Sequence, residues 1–512
     1  MITTTEIKDT NMTETNARER GVALLWVAGM LVALLGVSAF AVDLGWLYLN
    51  TSRLQKAADA AALAGVVNLP ALPAQADADA QSAASANQFP IGNPVSNTFS
   101  SQVLTDNQYE VTLATEVETF FLRVLGINSF DIQRVATAQY IQPVPMGSPA
   151  NCFGVGDISI LNAPFNGSSG PTAAKNRCDN YTQNFWAAIN GPMTAREHGD
   201  PFMVQCITSS GGSCSGGGNN LPPTGTFDTT NHYFYGIDVP AGKTFLDVWL
   251  YDAGFYDRND LNLETGDSDN LGNSSSGGMN MTYTLYRSDA TPHDPTDNTA
   301  HCTLTINSGA NSSTYQNQWR RICPQVANPA QGMWVLKVVS GGNIGGTNQY
   351  ALMVNTSNFN GAPPKIFAIN DMGIFTNEAS GNATVWLAEV LPVHAGKKLE
   401  LRFFDPGESA PPATMTVKNP SGATASSCSW TADNGSNGTS CAITTANGSG
   451  SLFNGRWITL LINIPTNYTC DPAANGNSGC YWKMNLDLNT SHDRTTWSAR
   501  VIGNPVRLVP NG

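Results

Sequence analysis

Acids crowd one stretch of the chain: Asp252, Asp257, Asp260, Glu264, Asp267 and Asp269. Hard oxygen ligands at such spacing can hold a calcium ion. Counted from Asp267, an EF-hand loop has its glycine at Gly272, but Gly278 stands where its closing glutamate belongs. A solvated loop is the better reading, with Asp257, Asp260, Asp267 and Asp269 kept as weak calcium candidates. The histidines at 198, 232, 293, 301, 394 and 492 are scattered. No G-x-S-x-G elbow, H-E-x-x-H pair or glycine-rich phosphate loop occurs. Trp249, Trp334, Trp386 and Trp457 fall in strand patterns and read as core before sugar-stacking platforms. The expectation is a protein without catalytic residues or a cofactor.

Cysteine carries the remaining chemistry. The 10 cysteines are Cys152, Cys178, Cys206, Cys214, Cys302, Cys323, Cys428, Cys441, Cys470 and Cys480. An even number, with no C-x-x-C or H-x-x-x-H spacing for zinc, reads as disulfides made in an oxidising compartment. Pairing of sequence neighbours is one connectivity; others stay open. Only 13% of residues are charged, about half the usual ~25%, and the net charge of −13 argues against nucleic-acid binding.

All the cysteines follow an apolar run. Gly21 to Val42 holds no charged residue and as a helix spans roughly 33 Å, enough to cross a bilayer. A signal peptide would have a shorter apolar region, about 7–15 residues. An uncleaved anchor is expected. Arg18 and Arg20 precede it, which places residues 1–20 in the cytoplasm and everything after Asp43 outside.

Beyond the run, Leu44, Leu47, Tyr48, Leu54, Ala58, Ala61 and Ala62 keep a helical period, so the helix continues. Ala57/Ala61 and Ala58/Ala62 are small residues four apart, which permit close approach of another backbone. Packing on the strands that follow is the plainer use of that face. ADADAQSAASANQF could form a second short helix, QYEVTLATEV and FDIQRVATAQYI alternate as strands, and TFFLRVLGI is a short apolar helix or strand edge.

An Arg-flanked apolar helix ending in A-V-D-L-G, then Tyr48, then L-Q-K-A-A-D-A-A-A-L-A-G, resembles the N-terminal region of TadG-like Flp (Tad) pilus-assembly proteins. The matching positions include Asp43, Gly45, Tyr48, Leu54, Gln55, Ala57, Ala58, Asp59, Ala61 and Ala62, and a looser pattern runs to about residue 141. The resemblance implies an anchor helix that makes specific contacts within a pilus-assembly apparatus, with other Tad/Flp proteins as partners. It does not imply a filament subunit: the fifth residue after Gly21 is Trp26, not the glutamate of type IV prepilins. Nor is the von Willebrand A metal motif of some relatives present, since Asp157-Ile-Ser159-Ile is followed by Leu161.

The rest of the chain holds a repeat. Val239–Gly254 (VPAGKTFLDVWLYDAG) is echoed by Val393–Gly407 (VHAGKKLELRFFDPG). Each is followed by a Met-Thr strand (Met281, Met415), a Gly-x-Trp strand start (Gly332, Gly455) and a last alternating strand. The expected architecture is mainly β: transmembrane helix 21–42, a pilin-like α+β region 43–146, then two antiparallel sandwiches, 147–360 and 361–512. They loosely resemble pre-peptidase C-terminal-type sandwiches, with GAPPK at 361–365 as hinge. The functional expectation is a membrane-anchored accessory component of a Tad/Flp pilus or secretion apparatus. A membrane-anchored adhesin binding a glycan or other surface ligand is the alternative.

Overall fold

In the computed structural model the apolar run and the alanine-rich stretch form one unbroken helix, α1 (Met12–Val66). The structure describes residues 12–69, 73–92, 96–105, 108–140, 144–166, 170–180, 185–191, 194, 198–202, 232–252, 279–288, 299–307, 315, 317–341, 346–377, 383–407, 413–447, 450–487, 492–502 and 506–509. The acids from Asp257 to Asp269 and the cysteines Cys206 and Cys214 lie outside these residues.

The chain divides into an anchor unit, residues 1–141 with 505–512, and a β-unit, residues 142–504. In the anchor unit, α1 and α2 (Pro73–Ala86) lie with a four-stranded antiparallel sheet. Its strands are β1 (Thr98–Thr105), β2 (Gln108–Glu118), β3 (Ser129–Tyr140) and a C-terminal strand, Val506–Val509. That last strand returns from the far end of the sequence to pair with β3, Val506 opposite Tyr140 and Val509 opposite Thr137. The β-unit is thus inserted into a hairpin of the anchor unit. The second sandwich was expected to reach residue 512, but these residues complete the first sheet instead. A four-residue strand with two apolar alternations gives too little pattern to show which sheet it joins.

The β-unit contains the two sandwiches, and they share a sheet. In the first, Phe245–Asp252 lies between Gln318–Arg321 and Thr347–Thr356, facing a sheet ordered His232–Val239, Gly332–Gly341, Asn280–Tyr286, Ala300–Asn307. In the second, Lys398–Phe404 lies between Trp457–Asn463 and His492–Ile502. It faces Ala383–Glu389, Tyr481–Asp487, Thr414–Lys418, Ala442–Thr444. Strand for strand the two orders correspond. The correspondence corrects the sequence repeat: Gly332–Gly341 matches Tyr481–Asp487, and the strand after Gly455 matches Gln318–Arg321. The Gly-x-Trp signature recurred at non-equivalent strands, because a short turn motif does not record which strand lies beside it.

Phe185–Asn190 and Asp371–Asn377 join Thr347–Thr356 to His492–Ile502, so one sheet runs through both sandwiches. The expected break at 360/361 is therefore not one. Lys365–Ile369 still pairs with His232–Val239, and the chain crosses over at Asn370, whose φ of 65° is left-handed. The GAPPK stretch is clamped as well. The Lys243 ammonium, from the first A-G-K turn, donates to the carbonyls of Ser357 (3.1 Å), Asn358 (3.1 Å) and Ala362 (2.5 Å).

Alternation explains the core. Leu246, Val248 and Leu250, with Leu352 of the neighbouring strand, face Tyr235 and Ile237 of the opposite sheet. Trp249 and Tyr251, between them, point the other way. Residues 150–166 and 170–178 cover that outer face, packing Val155, Ile160, Leu161 and Ala174 among Trp186, Trp249 and Trp319. Trp334 and Trp386 are buried, but Trp457 is half-buried, with Phe404 at 5.3 Å and Arg402 over its ring at 4.5 Å.

Among the described residues four disulfides join sequence neighbours: Cys152–Cys178, Cys302–Cys323, Cys428–Cys441 and Cys470–Cys480. Cys428–Cys441 ties a strand of the shared sheet to the start of Ala442–Thr444 in the facing sheet, across a Cα separation of 5.2 Å. Replacing both cysteines by alanine should lower the stability of the β-unit by about 2–4 kcal/mol. The shift of its urea midpoint in the full-length protein measures this; an unchanged midpoint refutes it.

Candidate functional site

The residue that ends the apolar run does specific work. Asp43 is 3% exposed, and its carboxylate accepts three backbone N–H groups: Phe120 (2.8 Å), Phe121 (3.0 Å) and Leu122 (2.7 Å). These open a 3₁₀ turn, Leu122–Leu125, in the loop joining β2 to β3. Phe121 provides no side-chain cap, so the orphan donors of the turn are satisfied by an acid from another element. An ionised acceptor makes such bonds stronger than a neutral one.

The loop is closed by its own contacts too. Thr119 N–H donates to Asn128 O (3.0 Å) and its hydroxyl to Ile127 O (2.6 Å). Arg123 Nε folds back onto Thr119 O at 2.8 Å, and Gly126 turns the chain at φ 87°. Trp46, one turn above Asp43 on α1, meets the Phe120 ring at 5.5 Å. The stretch read as a short apolar helix or strand edge is thus a hairpin tip hung on the anchor helix.

Further along α1, Leu54, Ala57, Ala58, Ala61, Ala62 and Val66 are buried in the unit's own core. They share it with Ala76, Ala80 and Ala84 of α2 and with Tyr109, Val111, Leu113, Ala136 and Ala138 of the sheet. The four alanines on adjoining faces are therefore used inside the unit, and a leucine at any of them would break this core. Gln55 donates to Asp59 (2.8 Å) and to Val135 O on β3 (3.4 Å). Gly45 and Tyr48 stand outside: both are exposed, Tyr48 at 77%.

Two groups escaped sequence reading. Asp77 of α2 accepts the hydroxyls of Tyr109 and Ser101, each at 2.5 Å, and Asp79 accepts from Asn68 at 2.9 Å. Burial, then the Asp77 carboxylate, push the Tyr109 phenol above its ordinary pKa. The alternating ADADA at 76–80 was the available signal, since acids on a mostly alanine helix need partners. Asp157, weighed as a metal-motif acid, caps the turn Ile158–Asn162 by accepting Ser159 N–H at 2.7 Å. Among the described residues no three His, Cys, Asp or Glu side chains converge as a metal site.

Two substitutions test the geometry. Asp43→Ala should speed amide exchange at Phe120, Phe121 and Leu122 by at least about tenfold. Asp43→Asn should fall between, and Val111 and Leu113 in β2 should keep their protection. Equal exchange in all three proteins would remove the cap. Gly65 is the second position: a Cβ there would lie 2.3 Å from Tyr109 Cε1 and 3.0 Å from Ala76 O. Gly65→Ala gains at most about 1 kcal/mol of helix propensity, against about 1–3 kcal/mol for displacing a packed ring. A lower thermal midpoint of the anchor unit is expected; an equal or higher one overturns the account.

Comparison with known proteins bears on the same segment. The sequence profile of the TadE/G-like Flp pilus-assembly family matches residues 21–80. No curated protein matches the chain. Among solved structures, the N-terminal CBM22-1-CBM22-2 tandem domain of Paenibacillus barcinonensis Xyn10C aligns at 11% identity and a TM-score of 0.12. That alignment covers 52% of this chain and 81% of that one, and its TM-score is too low to inform the fold. The helix from Val22, mean hydropathy 2.4 in its most apolar window and unburied there, is a candidate membrane anchor. With that helix, its Asp43 exit and the first half of α2 inside the matched residues, the N-terminal segment is similar to the TadE/G-like Flp pilus-assembly family.

Proposed function

We propose that the protein is a non-catalytic, membrane-anchored accessory component of a Tad/Flp-type pilus or secretion apparatus. Residues 21–42 span the membrane once, with the N-terminus in the cytoplasm and the folded units outside. The observation that carries this reading is how α1 is used along its length. From Val22 to Val42 its large apolar side chains are exposed, which water would penalise and lipid would not. From Leu54 onward it is the core of a folded domain.

Between these stretches Leu44, Gly45 and Tyr48 remain exposed on a helix whose other side is occupied by Asp43 and Trp46 contacts. Gly45 has nothing within 4 Å of where a Cβ would stand, so its lack of a side chain serves no neighbour in this chain. We assign this strip to contact with other pilus-assembly proteins, since a missing side chain lets a second backbone approach. Disulfides in the β-unit support an exported location. The sandwiches then serve as scaffold or contact surface.

Gly45→Leu or Tyr48→Ala should lower co-purification with other pilus components about tenfold, about 1.4 kcal/mol, while the anchor unit stays folded. Unchanged co-purification for both removes the strip as a contact. Protease added to cells with a permeabilised outer layer should digest the β-unit and leave a membrane-held N-terminal fragment. A mature protein starting near residue 42 would defeat the anchor.

A further inference from the structure

The hairpin tip capped by Asp43 turns apolar side chains outward. Phe120, Phe121, Val124, Leu125 and Ile127 are all exposed, Val124 at 85% and Leu125 at 77%. A soluble domain rarely leaves so many large apolar groups together on a short, tightly bonded turn. Flexibility does not explain them, because the turn is fixed by Asp43, Thr119, Arg123 and Gly126.

Its position says what covers it. Asp43 immediately follows the apolar span, so the cap fixes the turn at the level where α1 leaves the hydrocarbon. On the Asp43 face the span is partly covered at one residue. Between residues 22 and 42 every residue is exposed except Ala39, which is partly covered. Ala39 lies one helical turn before Asp43 on the same face, about 6 Å toward the membrane. The 3₁₀ turn, held by that face at Asp43, lies at the outer end of the span.

We propose that the loop Phe120–Ile127 is a second membrane-contacting element, an apolar wedge seated in the interfacial layer beside the anchor helix. This rests on the reading that Gly21–Val42 spans the bilayer. The wedge surface is continuous with the exposed face of that helix, and it carries the chemistry of the interface. Val124 and Leu125 enter the acyl boundary, a depth of about 5–10 Å for interfacial elements. Trp46 and Phe120 sit at headgroup level, where aromatic rings collect. Arg123, paired with Glu118 at 3.4 Å and half exposed, keeps its guanidinium among the headgroups while its stem lies along the turn. The wedge and the helix, joined through Asp43, fix the tilt and rotation of the anchor unit on the membrane. A lone helix leaves rotation about its axis free.

The test uses the full-length protein in phosphatidylcholine–phosphatidylglycerol vesicles, native disulfides intact. An environment-sensitive fluorophore is attached to one added cysteine in each of three variants: Val124→Cys, Leu31→Cys in the span, and Gln133→Cys on exposed β3. Lipids brominated near the headgroup end of the chain quench from the bilayer, and iodide quenches from water. The Val124 probe is expected to be quenched several-fold more by brominated lipid than the Gln133 probe, and less by iodide. If the Leu31 probe responds to lipid while the Val124 probe responds only to iodide, the wedge is refuted and the anchor stands. A Val124 probe shielded from both quenchers also refutes it, because a second copy of the protein then covers the loop. A Leu31 probe that brominated lipid does not reach refutes the anchor itself.

Discussion

The anchor unit depends on how near α1 can lie to its sheet. Ala57, Ala58, Ala61 and Ala62 hold that distance short, and at Gly65 even a methyl group would strike the Tyr109 ring. A helix lined with leucines would ride higher on the sheet, since interaxial spacing follows the side chains at the contact. Height is what matters here. Asp43 lies several turns before Gly65 on the same rigid rod, and its carboxylate meets three amide groups of a loop that belongs to the sheet. Hydrogen bonds of that kind tolerate only a few tenths of an ångström. The small residues are thus the spacer that lets the acid reach.

In the β-unit a different constraint organises the fold. Each sandwich, taken by itself, would expose an edge of its half of the shared sheet, at Thr347–Thr356 in one and His492–Ile502 in the other. Unpaired edges invite pairing with other chains. Phe185–Asn190 and Asp371–Asn377 fill the gap between them, so the two edges disappear into one continuous sheet. Phe185–Asn190 is buried at every position, as expected for a strand covered on both faces. Gly373 in the neighbouring strand has no room for a side chain, with Ala188 O at 2.2 Å from an added Cβ. The filling strands are fitted to this one place.

Much of this was legible in the residues. The uncharged run, the helical period through Ala62, the alternation in β2 and β3, and the A-G-K repeat each reflect a local rule, and local rules are written in short windows. What was not legible depended on partners distant in sequence. FFLRVLGI read as a helix or a strand edge because its deciding contact, Asp43, is over seventy residues away. Packing on the strands was the plainer reading of the α1 alanines, but the second helix that also covers them was only a faint pattern. The repeat was found through its turns but paired at the wrong later strand, because strand order is a property of pairing. The strand Phe185–Asn190 gave no signal of its own, since FWAAIN has no alternation to announce it.

The return of the C-terminal strand has a consequence for how such a protein could be built and rebuilt. Tyr140 and Val506, the residues on either side of the whole β-unit, are directly opposed across two paired strands. Opposed residues in an antiparallel pair stand about 4.5–5.5 Å apart, a gap that a two-residue turn can bridge. The inserted unit could in principle be excised and replaced by such a turn, or by another domain with neighbouring termini, without disturbing the sheet that receives it. The anchor unit behaves as a socket. The unit it carries is then exchangeable over evolutionary time, while the helix, its acid and the hairpin tip stay the same.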